Sequence, residues 1–337
     1  MANSSVRVDT ARFSRRPLEA VELSGPSAAI RRVHELLRRA ASVDSAVLFV
    51  GEYGTDVPGL AAEIHVHSTN AGAPFVRVDC AGREAPDLDR ELFGVPTGAA
   101  PSDLDTIAPD SRLAAARGGT LFLHEVTELP SAVQSRLARI LRDREVRLRG
   151  DAVPTAFRLV TGAPPEIDAD LRTQRFRADL YRRLAATRID VPPLRDRADD
   201  VPALAARILD DLGADDVRAA ARTFSHAALA LLGAVTWLGN LAELRGVIER
   251  VAAATGEHVI LIEHVLPALQ LDRAPAAFVP AGNLREARLR FEREYIAAVL
   301  QHHGWCMADA AHTLGIQRPN LYRKARQLGI LLSRTSA

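Results

Sequence analysis

The stretch Gly51-Glu52-Tyr53-Gly54-Thr55-Asp56-Val57-Pro58-Gly59-Leu60 follows the apolar run Ala46-Val47-Leu48-Phe49-Val50 and leads into a helix-like segment. A glycine-bearing turn between a strand and a helix is the setting in which backbone N–H groups and a helix N-terminus hold phosphate. The pattern that does this, G-x-x-x-x-G-K-[ST], places glycine where the backbone closes on the phosphates and lysine where an ammonium neutralises the β and γ oxygens. Here Asp56 and Val57 stand in those two places, and Pro58 follows. An anion lies where the ligand's own anions would lie, and the cation is gone. Gly51, Gly54 and Thr55 are the remnant of a phosphate cradle, with the amides of Gly54 and Thr55 still suited to an anion. The plain structural alternative is that Asp56 caps a helix whose first turn contains Pro58. Lys324 is the only lysine in the chain, so no neighbouring lysine replaces the missing one.

Outward from this loop the chain alternates strand and helix patterns. A helix is expected over residues 28–41, a strand over 46–50, a helix over 60–68 and a strand over 75–79. Further strands are expected at 120–124, 157–161 and 188–190, with helical segments such as 131–142 between them. That alternation predicts an α/β body over residues 21–193, a parallel sheet with helices on both faces. After Pro192-Pro193 the strand signal stops, and residues 194–271 read as an α-helical lid subdomain with a long helix from Asn240. Residues 272–282, rich in Ala, Pro and Gly, read as a linker. The end of the chain, 283–337, reads as a helix over 284–302, a shorter one over 307–314, a break at Gly315 and a final helix over 318–328. Helix, glycine turn, helix is the helix-turn-helix pattern. Residues 1–20 are polar, include Arg7, Arg12, Arg15 and Arg16, and are expected to form a flexible arm too short for a sensor domain.

Composition narrows the class. A chain of 337 residues that is 47% hydrophobic and 25% charged is an ordinary globular protein of two or three domains. The absence of a long apolar run or a signal-like N-terminus predicts a cytoplasmic protein with no membrane partner. Cys80 and Cys306 lack metal-ligand spacing and read as reduced structural residues. His302, His303 and His312, without accompanying carboxylates, read as surface or packing residues, and no metal site is expected. The net charge of +1 is uneven: residues 283–337 hold nine Arg or Lys against four Asp or Glu. A basic terminal unit suits double-stranded DNA as a partner, though a solvated charged face has the same composition.

Several segments, in shared order, resemble the AAA+ domain of bacterial sigma-54-dependent transcriptional activators (the NtrC family) followed by a Fis-type helix-turn-helix. They are Gly51-Glu52-Tyr53-Gly54-Thr55, Pro74-Phe75-Val76-Arg77-Val78-Asp79-Cys80, Glu91-Leu92-Phe93-Gly94 and Gly118-Gly119-Thr120-Leu121-Phe122-Leu123-His124-Glu125. They continue with residues 175–184, Pro192-Pro193-Leu194-Arg195-Asp196-Arg197 and Trp237-Leu238-Gly239-Asn240-Leu241. The resemblance covers roughly residues 21–330 and implies an AAA+ fold, a helical lid and a DNA-binding terminus.

It also shows where this sequence departs. The family carries Asp-Glu at the end of the strand that finishes in His124-Glu125, the Asp serving Mg²⁺ and the Glu orienting the attacking water. Glu125 remains, but imidazole is a poor partner for a hard cation. Pro164 stands where the family has an Asn that senses the γ-phosphate, and Ala242 where it has an Arg that contacts phosphate. With the loop, four contact sites are altered together, each group of this kind contributing about 2.7–4 kcal/mol to transition-state stabilisation. His124 also has a plain reading as a packed histidine. Arg177 and Arg183 match the family's arginine fingers; their structural alternative is pairing with Asp179 or with an acidic residue across a subunit contact. After Gly94 the family's sigma-54-engaging loop is replaced by Val95-Pro96-Thr97-Gly98-Ala99-Ala100-Pro101-Ser102-Asp103, which has no aromatic tip and argues against coupling to sigma-54.

The C-terminal unit keeps its pattern. Leu321, Ala325 and Leu328 share a stripe, leaving Gln317, Arg318, Asn320, Arg323 and Lys324 for a groove, with Lys324 and Arg326 equally suited to phosphate. The helix over 284–302 offers Leu284, Ala287, Leu289, Phe291, Tyr295, Val299 and Leu300 as a face for a second copy, and a dimer would read two half-sites. The sequence therefore predicts a DNA-binding transcriptional regulator that keeps an AAA+ body for oligomerisation or interaction, including contact with RNA polymerase, and does not hydrolyse ATP. On that reading there is no cofactor. The alternative is a sigma-54 activator with weak residual turnover, the one reading in which ATP and Mg²⁺ bind. A co-regulator assembling with an intact homologue is a third.

Overall fold

The computed structural model describes residues 20–95, 104–215, 222–271 and 318–328, together with Ile296, Leu300, Met307, Ala310 and Ala311. The chain divides into two compact units, Met1–Asp272 and Arg273–Ala337. In the first, α1 (Ala28–Ala41), β1 (Val47–Val50), α2 (Val57–Val66), β2 (Phe75–Asp79) and α3 (Ala85–Phe93) come in order. They are followed by β3 (Thr106–Ile107), α4 (Arg112–Ala115), β4 (Thr120–His124), α5 (Ser131–Asp143), β5 (Glu145–Leu148), β6 (Asp151–Pro154) and β7 (Arg158–Ala163). Then come α6 (Ile167–Arg172), α7 (Ala178–Leu184) and β8 (Thr187–Asp190). The lid contains α8 (Val201–Asp215), β9 (Thr223–Phe224), α9 (His226–Ala234), α10 (Asn240–Ala254), β10 (Val259–Ile260) and α11 (Ile262–Leu271).

The main sheet has the order β2-β4-β7-β1-β8, and every pairing in it is parallel. Parallel strands need helical crossovers, which cover both faces, so central strands carry near-continuous apolar residues. All four residues of β1 and all six of β7 are buried. Alternation then assigns the faces: Val47 and Phe49 join Phe122, Val160 and Ile189 under α1 and α2. Leu48 and Val50 join Leu121, Leu123 and Leu159 under α3, α5 and α7. The C-terminal ends of β1, β4 and β7 thus converge beside the loop after β1, the place where open α/β sheets bind ligands.

Three features depart from the sequence expectation. Helix α2 begins at Val57 rather than at residue 60, because Asp56 Oδ1 accepts the Gly59 N–H at 2.9 Å and Pro58 fits the first turn. A second sheet, β3-β5-β6, contains a hairpin whose turn residues Arg149 and Gly150 both have positive φ, 54° and 95°. In the lid, β9 and β10 pair in parallel over two residues each, so strand structure does not end at Pro193; so short a pairing leaves no periodicity to read. The lid core gathers Leu204, Ile208, Trp237, Leu244 and Ile248.

In the second unit α12 (Arg318–Gln327) packs Leu321 into a cluster with Ile296, Leu300, Met307, Ala310 and Ala311, against which Leu328 rests. Leu300, expected on a face for a second copy, is fully buried in this unit's own core. The arm over 1–19, the loop over 96–103, the linker over 272–282 and most of the helices expected over 284–302 and 307–314 lie outside the described residues, as do Gln317, Cys306 and the three C-terminal histidines. No helix among the described residues is long and apolar enough to cross a membrane.

Candidate nucleotide cleft and DNA-reading helix

The loop after β1 is bonded largely to the protein itself. Asp56 N–H donates to Glu22 Oε2 at 2.9 Å, and Val57 N–H donates to the Thr55 carbonyl at 3.0 Å. Pro58 has no N–H, and Gly59 N–H is taken by the Asp56 cap. Thr55 N–H donates to the Glu52 carbonyl at 3.2 Å, and Thr55 Oγ1 to the same oxygen at 2.7 Å, so the Thr55 amide is not available to an anion as expected. Glu22 is fully buried and ion-paired with the buried Arg197, whose guanidinium also donates to the Glu22 carbonyl oxygen at 2.7 Å. Burial lowers the Arg197 pKa to about 10, with Asp200 opposing the shift. An internal carboxylate, held by an internal guanidinium, therefore occupies a donor that a phosphate would otherwise use.

The other side of the loop carries the lid. Gly54 has φ 85°, its carbonyl accepts the Ala242 N–H at 2.9 Å, and a Cβ there would lie 2.0 Å from the Gly239 carbonyl oxygen. Asn240 Nδ2 donates to the Tyr53 carbonyl at 2.8 Å, while its Oδ1 accepts the Leu194 N–H at 2.8 Å. Arg195 forks onto Glu52 with two 2.6 Å bonds, and that bonding holds the Glu52 carboxyl below its ordinary pKa. Gly51 is required for a different reason: a Cβ would meet Thr55 Oγ1 at 2.6 Å.

At the sheet's edge of the cleft, Val57 is buried, and a Cβ on Gly162 of β7 would lie 2.8 Å from Val57 Cγ1. An apolar side chain thus fills the lysine's place by packing on the strand. His124 stands level with Asp79 in the β2/β4 register, Nδ1 3.6 Å from Asp79 Oδ2 and Nε2 3.7 Å from Glu125 Oε1. It is neither a simple core residue nor a hard-oxygen ligand; it sits between two carboxylates. Glu125 has a left-handed backbone, φ 57°, and its pKa is raised by burial, with Asp79, Glu128 and Glu166 adding to the rise and His124 opposing it. Cys80 is buried, its thiol pushed up to about 12 by burial and by Asp79, Glu91 and Glu125, which makes it unreactive.

The loop residues Gly51 to Pro58 line a cleft of about 450 Å³ together with His124, Glu125, Gly162, Ala163, Leu241, Ala242 and Arg245. Arg245 is the residue that sequence reasoning missed. It lies one helical turn beyond Ala242 on α10, a spacing that was available as a signal, and it is the one guanidinium among lining residues that include Glu52, Asp56 and Glu125. Pro164 is half-buried, just past the end of β7.

The two arginine-finger positions separate. Arg177 forks onto Asp179 at 3.0 and 2.9 Å and reaches Ser135 Oγ at 3.3 Å. Arg183, on α7, lines a different cleft at the opposite, N-terminal end of the strands. In the second unit, Leu321 and Ala325 are buried, Asn320 and Arg323 are exposed, and Arg323 Nη2 lies 3.4 Å from Asn320 Oδ1. Lys324 is half-buried; Arg318 and Arg326 lie on the same helix.

Three family models match successive parts of the chain: a sigma-54 interaction domain over 23–190, an AAA+ ATPase lid domain over 195–277 and a bacterial regulatory protein of the Fis family over 288–330. The Nif-specific regulatory protein of Azotobacter vinelandii is 34% identical over 310 residues, a match covering 91% of this chain and 58% of that protein. The alginate biosynthesis transcriptional regulatory protein AlgB of Pseudomonas aeruginosa is 33% identical, covering 91% and 68%. The nitrogen assimilation regulatory protein NtrX of Azorhizobium caulinodans is 31% identical, covering 96% and 74%. Among solved structures, NtrX from Brucella abortus in complex with ADP superposes with a TM-score of 0.63 at 28% identity, covering 92% of this chain and 69% of that one. The chain thus spans between just under three fifths and about three quarters of the relatives it matches.

Proposed function

This chain belongs to the family of sigma-54-dependent transcriptional regulators, with the family's AAA+ body, lid and Fis-type helix-turn-helix, and from that membership we propose that it is a DNA-binding regulator whose AAA+ body no longer hydrolyses ATP. The observation that carries the proposal is the bonding of the loop Gly51–Leu60. Its amides at Thr55, Asp56, Val57 and Gly59 serve the Glu52 carbonyl, Glu22, the Thr55 carbonyl and the Asp56 cap, and residue 58 has none to offer. A triphosphate entering this cleft meets Asp56 and Glu125 without a lysine, and breaking the loop's internal bonds costs about 1 kcal/mol or more for each. Phosphoryl transfer depends almost wholly on positioning and charge stabilisation, so a site lacking the lysine, the Mg²⁺-side Asp, the Asn and the Arg loses the main sources of rate.

The body then serves assembly and contact. Its lid is bonded directly to the loop, the Gly54 and Tyr53 carbonyls accepting from the Ala242 N–H and the Asn240 side chain, which fits a role as a fixed platform for a second copy, for RNA polymerase or for an intact homologue. The DNA-reading role rests on the Fis-type unit, with Asn320 and Arg323 on the exposed side of α12. Family membership makes sigma-54 a candidate partner, but the sequence over residues 95–103 contains no aromatic residue, which weighs against the usual coupling.

Arg245 supports the second reading, an activator with residual nucleotide binding, because it brings a cation to the cleft from one turn along α10. Phosphate release from ATP decides between them. The purified chain should release no more phosphate than a variant carrying Asp56→Gly, Val57→Lys and Glu125→Ala, which lacks the general base. Turnover well above that control, and sensitive to Arg245→Ala, would establish the second reading.

A further inference from the structure

Helix α1 carries a charge distribution unlike that of the body around it. Of the chain's 43 basic and 42 acidic residues, nine and four lie in 283–337, which leaves 34 and 38 in residues 1–282. Against that acidic balance, Arg31, Arg32, Glu35, Arg38 and Arg39 are all exposed on α1. At 3.6 residues per turn these five positions fall on one face, about a third of the helix circumference. Ile30, Val33, Leu37, Ala40 and Ala41 bury the opposite side. The solvent face of α1 therefore holds four guanidiniums around one carboxylate.

Elsewhere on the body, surface arginines are matched by acids: Arg83 and Arg112 meet Glu91, Arg136 meets Asp89, and Arg188 forks onto Asp168. On α1 the signs are not balanced. The helix macrodipole accounts for Arg38 and Arg39, which lie in the last turn. It gives no reason for Arg31 and Arg32 in the N-terminal half, where the dipole does not favour a cation, and the first turn has no acidic residue to offset them. Arg38 also borders a cavity of about 350 Å³ with His34 and His67, where the one carboxylate, Glu63, is buried and bonded to His67 Nε2 at 2.8 Å. Asp44, exposed beyond the end of α1, is the next acidic residue along the chain.

We infer that the exposed face of α1 is a second DNA contact, made by the AAA+ body with the phosphate backbone of a duplex that the Fis-type unit reads. The inference rests on the DNA-reading role of that unit. Arg38 and Arg39 follow Arg31 and Arg32 after two helical turns, about 10 Å along the axis. Duplex DNA carries a charge about every 1.7 Å of its own axis, so a row of this length faces several phosphates, whose oxygens guanidinium forks match in pairs. Both units belong to one chain, so DNA held by the reading unit is presented to the body at an effective concentration far above that of free DNA. The contact adds affinity without base preference, because phosphates carry no sequence.

The test is the salt dependence of DNA binding by the full chain, read by fluorescence anisotropy. The probe is a duplex carrying a sequence that the chain selects from random DNA, with about two helical turns of flanking DNA on each side. Each phosphate contact contributes about 0.9 to the slope of log affinity against log salt. Arg31→Gln, Arg32→Gln, Arg38→Gln and Arg39→Gln together should flatten that slope by about 2–4 and weaken binding about ten-fold or more at low salt, with the selected sequence unchanged. Glu35→Lys, at the centre of the face, should steepen it. All five side chains are exposed, so both variants should melt with the parent. An equal flattening in a control carrying Arg77→Gln, Arg90→Gln, Arg149→Gln and Arg172→Gln, four exposed arginines outside α1, would overturn the proposal by reducing it to net charge. An unaltered slope in the α1 variant overturns it as well, and loss of self-association in sedimentation with that unaltered slope would assign the face to a protein contact. A parent chain that binds no DNA sinks the DNA-reading role too, whereas a parent that binds and keeps its slope in the variant sinks the second contact alone.

Discussion

Asp56 changes two things with one side chain. It places a carboxylate at the mouth of the loop, and it closes the first turn of α2 by accepting the Gly59 N–H. The second effect depends only on local geometry and was legible from Asp56-Val57-Pro58-Gly59, where a capping residue precedes a proline in the first turn. Replacing Asp56 by Ala should lower stability by about 1 kcal/mol, within the usual range for lost caps, as measured by urea unfolding. A larger loss would mean that Asp56 also supports the Glu22 contact through its backbone position. That contact was not legible. Glu22 lies 34 residues from Asp56 in sequence, and nothing in either segment announces that a buried carboxylate reaches the loop amide. Arg245 was missed for a related reason: the family's cation belongs at position 242, and a cation displaced by one turn becomes visible only when α10 is placed against the loop.

At the scale of elements, the loop after β1 behaves as a bracket between sheet and lid. The Gly54 and Tyr53 carbonyls receive the Ala242 N–H and the Asn240 side chain, and Gly54 lets the backbone at Gly239 approach closely. Gly54→Ala should therefore cost about 1–3 kcal/mol, because the new methyl overlaps a carbonyl oxygen and the residue keeps a positive φ. Limited proteolysis should show faster cleavage in the lid of that variant than in the parent; an unchanged pattern and unchanged stability would remove the bracket role. The central strands β1 and β4 were legible from their apolar runs, Val47–Val50 and Leu121–Leu123, as buried parallel strands predict. The hairpin β5-β6 was not, since its residues are mixed in polarity, and the pairing of β9 with β10 was not, since it spans only two residues of each strand.

On the scale of the whole molecule, the two units differ in how they follow the family's pattern. The body's phosphate loop carries Asp56 and Val57 in the places of the pattern's glycine and lysine, while α12 has an apolar stripe at Leu321 and Ala325 with Asn320 and Arg323 exposed. Arg323→Ala should weaken specific DNA binding by about 1–3 kcal/mol while leaving non-specific binding and folding nearly unchanged. Selection of bound sequences from random DNA, followed by footprinting of the variant, measures both. A footprint unaltered by the substitution would move the reading surface away from Arg323.

The sequence alone determined the alternation of strand and helix, the helix-turn-helix pattern and the absence of lysine from the phosphate loop, because each is written in nearest neighbours or in short periods. Only the tertiary structure decided what became of the loop's vacant bonding capacity. Backbone donors are satisfied by whatever the fold brings within about 3 Å. Here it brought Glu22 to the Asp56 amide, while the loop's carbonyls took the lid. The same folding gathered Arg144, Arg158, Arg182 and Arg183, from three separate segments, around one cleft that no spacing in the chain foretold.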